Sequence, residues 1–104
     1  MLAVIKTILG FKDDTNDELL NAIISLTTAR LLLLIGATGD VPESLQYIVV
    51  EVTIARFNRI GSEGLNSHTV EGESMSWSDG DFEPFENDIR NYLAENGKGK
   101  VRFL

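Results

Sequence analysis

The 104-residue chain predicts an all-α domain: a small bundle of about four helices, with a short β-hairpin or ordered loop between helices three and four. Three observations carry this reading. Apolar residues recur at helical spacing in four stretches. Glycines close these stretches and prolines open them, the usual punctuation of helix ends. The helical period disappears only from Gly61 to Asp81, where "HTVEGESMSW" alternates weakly around Val70, Met75 and Trp77 with Gly72 midway. That alternation suits a loose hairpin or an ordered loop.

The first helix is short, Leu2 to Leu9, and stops at Gly10. The second opens at "TNDE", where Thr15 and Glu18 have capping-box spacing and Asp17 and Glu18 suit the positive end of the helix dipole. It runs to Gly36, roughly 30 Å at 1.5 Å per residue. The β-branched pair Thr27 and Thr28 marks the place for a bend in its middle. "GATGD" breaks the chain, and Pro42 with Glu43 starts the third helix. Leu45, Ile48, Val49, Val52, Ala55 and Ile60 form its broad apolar face, while Val50, Ile54 and Phe57 cover much of the other side. A helix apolar nearly all round is central to a fold or is covered by a partner as well. "GSEG", Gly61 to Gly64, reads as the C-terminal cap and turn. The fourth helix starts near "DFEPF", with Asp81 as cap and Pro84 in the first turn; Phe85, Ile89, Tyr92 and Leu93 share one stripe. "ENGKGK" ends it and "VRFL" closes the chain as a strand-like tail. The expected division is a helical domain over 1–96 and a tail for partner attachment over 97–104.

Composition narrows the function. Hydrophobic residues make up 43% of the chain, which is globular, and a domain this small has modest stability of its own. There is no cysteine and a single histidine, His68, so disulfides, thiolate catalysis and cysteine–zinc sites are excluded. The apolar N-terminus lacks a basic leader and a small-residue cleavage site, and is expected to belong to the mature fold. The longest uninterrupted apolar run, Leu31 to Ile35, falls far short of the roughly 20 residues that span a bilayer. A soluble intracellular protein is therefore expected.

Net charge is −7, and it is unevenly placed. From Glu63 to Glu95 nine acidic residues face one basic residue, Arg90, whereas Lys98, Lys100 and Arg102 in the tail stand without an acid. An acidic surface repels phosphate backbones and argues against direct duplex binding. The tail, with Val101, Phe103 and Leu104 between and after its cations, suits addition to a partner's sheet edge or anchoring in a groove.

No catalytic pairing emerges. "GSEG" follows a helix and does not open one, so it is no phosphate loop. "DGDFEPFEND" is rich in carboxylates, but its glycine is second where a calcium loop needs it sixth. His68 beside Glu71 and Glu73 lacks a nucleophile and is read as a surface residue. Arg56 and Arg59 lie one turn apart near a helix C-terminus, where they cap or pair with acids such as Glu63. Trp77 and Phe82 flank an acidic turn as core lids or interface anchors. No enzyme, cofactor or metal function is expected.

The order of these pieces (a "DELL" helix start, "RFNRIGSEG", "VEGESMSW", "DGDFEPF" and a basic "GKVRFL" end) resembles that of the head–tail connector, or neck adaptor, proteins of tailed bacteriophages. The resemblance covers essentially the whole chain; Phe57–Gly64 and Val70–Gly72 are its most specific parts. It implies a helical protein whose copies, usually twelve, form a ring beneath the portal, extend the DNA channel and dock the next neck protein; members of the family can be monomeric in isolation and assemble only on the portal. The implied location is the virion neck, with assembly in the host bacterial cytoplasm. Portal attachment is then assigned to Lys98, Lys100, Val101, Arg102, Phe103 and Leu104. Arg56, Arg59, Glu63, Val70, Met75 and Trp77 become candidates for subunit contacts, and Glu71, Glu73, Asp79, Asp81 and Glu83 for the channel-facing acids. A rival from another class is a small acidic helical regulator, antitoxin-like, that wraps a basic protein partner. Twelve copies on a ring-shaped partner, against one or two on a soluble one, separate the two.

Overall fold

The structure, a computed structural model, describes residues 1–62 and 79–96. Those residues form four α-helices and contain no strand: α1 (Leu2–Leu9), α2 (Asp17–Ile35), α3 (Gln46–Ser62) and α4 (Glu86–Glu95). Short 3₁₀ segments, Glu43–Leu45 and Asp79–Phe85, lead into α3 and α4. The all-α expectation therefore holds for them. The hairpin or loop expected between α3 and α4, and the tail from Gly97, lie outside the described residues.

Two helix ends form for the same physical reason. Gly10 and Gly36 adopt left-handed φ angles of 80° and 69°, which a side chain would strain. This lets the Phe11 and Ala37 amides bond back to Lys6 and Leu32 at 2.9 and 3.0 Å, satisfying carbonyls the helices leave over. The two starts expected from capping residues differ. α2 begins at Asp17 after Asn16, with no side-chain cap; the Thr15 amide donates instead to Asp13 Oδ1. α4 begins after Phe85, because Asp81 and Pro84 belong to the preceding 3₁₀ segment. α3 continues through Gly61 to Ser62, the first two residues of "GSEG"; the rest of that expected turn lies outside the described residues. α2 runs unbroken across Thr27 and Thr28.

α2 and α3 share the most extensive contact in the bundle, and α1 leans on both. The core lies along this seam: Leu31, Leu34 and Ile35 of α2 meet Ile48, Val49 and Val52 of α3. Phe82, Ile89 and Leu93 close it from the 3₁₀ segment and α4. α1 buries only Ile5, and a Lys6–Asp17 ion pair at 2.8 Å ties it to the start of α2. Phe11 and Phe57 meet edge-to-face with centroids 5.6 Å apart, fixing the α1–α2 turn on α3. By length and composition alone α2, 19 residues with a mean hydropathy of 1.7, is long and apolar enough to cross a membrane. Counting only the run Leu31–Ile35 understated it. In the bundle α2 is a core helix, with Leu20, Ile23, Thr27 and Leu31 buried on its packed side.

Candidate functional site

The polar centre of the bundle is built on Arg56. It sits on the apolar stripe of α3, four residues after Val52 and four before Ile60, and is only 3% exposed. Its Nε donates to Asp81 Oδ2 at 2.8 Å and its Nη1 to the buried Thr27 hydroxyl at 3.1 Å. The guanidinium also lies 5.6 Å from the centre of the Phe82 ring. Arg59, one turn later, donates from both Nη atoms to the other Asp81 oxygen at 3.0 and 3.1 Å. One carboxylate thus bridges two cations and fastens the 3₁₀ segment to α3, while the Arg56–Thr27 bond ties the same centre to α2. A charge this deep is tolerated only when paired and hydrogen-bonded.

The outer face is different in kind. α1 exposes Met1 (39%), Val4 (51%) and Ile8 (59%), large apolar side chains on one side of a short helix. Across from them stand Tyr47 and Val50 of α3, with Gln46 and Glu51 at the rim, enclosing a groove of about 410 Å³. Tyr47 also walls a second hollow of about 220 Å³, shared with Asp88, Tyr92 and Glu95 of α4. Its hydroxyl donates to Asp88, and its ring meets Phe85 edge-to-face at 5.9 Å. Partial burial, then the Asp88 hydrogen bond and the negative charges of Asp88 and Glu51, push the Tyr47 phenol up to about 12. An apolar trough therefore runs beside an acidic hollow, with a neutral tyrosine between them. Exposed Leu26 and Leu33, seven residues apart, place further apolar surface on the outer side of α2.

This is a molecule with contact surfaces and, among the described residues, no group of three or more histidine or carboxylate side chains placed to hold a metal. The family of phage gp6-like head-tail connector proteins matches residues 1–92. The chain belongs to this family. No curated protein and no solved structure matches it. Membership makes the chain a structural protein of the phage neck and a component of the virion. The match takes in α1, α2 and α3 and most of α4, and stops before the basic tail.

In this connector the candidate residues fall into three groups. Arg56, Arg59 and Asp81 come together inside the chain: among the described residues Asp81 is an acid that both arginines hold. Glu83 is exposed on the 3₁₀ segment, and Asp79 begins it. Glu63, Val70, Glu71, Glu73, Met75 and Trp77, and the tail residues Lys98, Lys100, Val101, Arg102, Phe103 and Leu104, lie outside the described residues. The α1–α3 groove is a site that reading the sequence alone missed. Its signal was present, since Met1, Val4 and Ile8 share a face of α1 that adjoins the buried Ile5 and is too wide for that one contact to cover.

Proposed function

We propose that this connector works as a ring adaptor: copies assemble beneath the portal, join head to tail and continue the DNA channel toward the next neck protein. The single observation that carries the reading is the family match over residues 1–92. The fold supports it physically. α1 leaves Val4 and Ile8 more than half exposed, and α2 does the same with Leu26 and Leu33, more apolar surface than a lone small bundle needs. A net charge of −7 suits a conduit through which DNA slides without being held. The duplex passes with no specific binding, and Glu71, Glu73, Asp79 and Glu83 supply the repulsive lining, whereas Asp81 is held by Arg56 and Arg59. The C-terminal segment 97–104 forms the attachment element and grips the portal. Assembly takes place in the host cytoplasm.

The test is electron microscopy of the purified protein mixed with the portal of the same phage. The expected result is a closed ring of copies, twelve for a twelve-fold portal, stacked coaxially on it. One or two copies bound off-axis, or none, would overturn the adaptor reading.

A further inference from the structure

Tyr47 lines both the α1–α3 groove and the α4 hollow, so the two lie side by side as a trough with an apolar half and an acidic half on either side of its ring. The apolar half presents Val4, Ile8 and Val50; the acidic half presents Asp88 and Glu95, with Glu51 at the rim. Glu95 is also the last residue of α4, so the chain leaves its final helix at the edge of the hollow. Beyond Asn96 the sequence continues as Gly97–Leu104, "GKGKVRFL", with three cations, no acid and three large apolar residues. A segment of this length reaches about 26 Å when extended. The apolar wall from Met1 to Ile8 is about 10 Å long. Reach, starting point and charge all match.

We propose that the trough is the docking site for this chain's own C-terminal segment. An extended course sends alternate side chains to opposite sides. Val101 and Phe103 then fill the apolar half against Val4, Ile8 and Val50. Lys98, Lys100 and Arg102 lie along Asp88, Glu95 and Glu51. Attachment within one chain is favoured over attachment to another copy because the segment starts at the rim, at high effective concentration. The inference goes beyond the adaptor reading and does not depend on it. Where both hold, the segment rests on its own chain before assembly and passes to the portal in the neck.

The natural chain has no cysteine, so a cross-link can be read without background. The full chain carrying Ile8→Cys and Phe103→Cys is oxidised mildly at low concentration and run on a non-reducing gel. An intramolecular disulfide in most chains is the expected result. The control pair Ser25→Cys and Phe103→Cys, with Ser25 exposed on α2, should link at least tenfold less. Adding Glu51→Lys and Glu95→Lys, both at exposed positions, should cut the yield of the first pair severalfold. Disulfide-linked dimers, no link, equal linking of the control, or indifference to the charge reversals would each overturn the proposal. No portal is present, so a failure here leaves the adaptor reading standing, and an absent ring leaves this one standing.

Discussion

Replacing Arg56 by methionine keeps most of the buried stem beside Phe82 and removes the charge. With it go the 2.8 Å bond to Asp81, the 3.1 Å bond to Thr27 and the contact with the Phe82 ring. Breaking a buried ion pair costs about 3–5 kcal/mol. The lower end applies, because Asp81 is 14% exposed and keeps Arg59. Arg56→Met should therefore lose about 3 kcal/mol of stability. Unfolding entropy near 2.1 cal/mol/K per residue turns this into a fall in Tm of about 14 °C for a chain of this length. Asp81→Asn should cost more, about 4 kcal/mol, because it strands the less accessible of the two charges. The double variant should be less destabilised than the sum by at least about 1 kcal/mol. Urea unfolding followed by circular dichroism measures all three without the added ions that screen the pair. If Arg56→Met lies within about 0.5 kcal/mol of the parent, or Asp81→Asn costs less than Arg56→Met, the account of the buried centre is wrong.

Other perturbations probe separate parts. With Tyr92→Phe in place, phenolate absorbance should report Tyr47 titrating near 12, and adding Asp88→Asn should bring the midpoint down toward 10; a midpoint near 10 with Asp88 intact contradicts the hydrogen bond. Because the folded value lies above the unfolded 10, Tyr47's contribution to stability is whole below pH 10 and is lost as pH rises through about 12. Gly10→Ala should cost about 1–2 kcal/mol through φ alone, since nothing lies within 4 Å of an added Cβ; a neutral effect in thermal unfolding would count against the left-handed cap. Truncation after Gly97 should abolish portal capture in a pull-down while helical dichroism is kept, and undiminished capture would place the grip elsewhere. Deleting Ser67–Ser76 should leave the fold intact and stop neck assembly; complete necks from that variant would remove the segment from any role in it.

The helices were legible because their signals are local. Apolar spacing of three and four, Gly10 and Gly36 after the last turns, and Pro42 before α3 each act within a few residues. The start of α4 was misplaced for the opposite reason. Asp81 has a capping residue's chemistry, but its oxygens are claimed by arginines 22 and 25 residues earlier, a tertiary competition that no local pattern shows. Arg56 itself left a readable trace, since a cation on the Val49–Val52–Ile60 face is in line for burial. As for the site, the tail's alternation of charge and apolar side chains is plain in the sequence. The groove left a partial trace, the apolar outer face of α1, but its other wall was not legible because α1 and α3 are joined there only by folding.

The Asp81 fastening has one more consequence. By tying residue 81 to residues 56 and 59, it fixes the distance between the two ends of whatever chain lies between α3 and the 3₁₀ segment. A span clipped at its base can be lengthened, shortened or exchanged with little strain on the bundle, since doubling a loop's length costs only about 0.6 kcal/mol. The molecule thus offers a graft point, where an inserted or exchanged segment would leave the packing of the helices undisturbed.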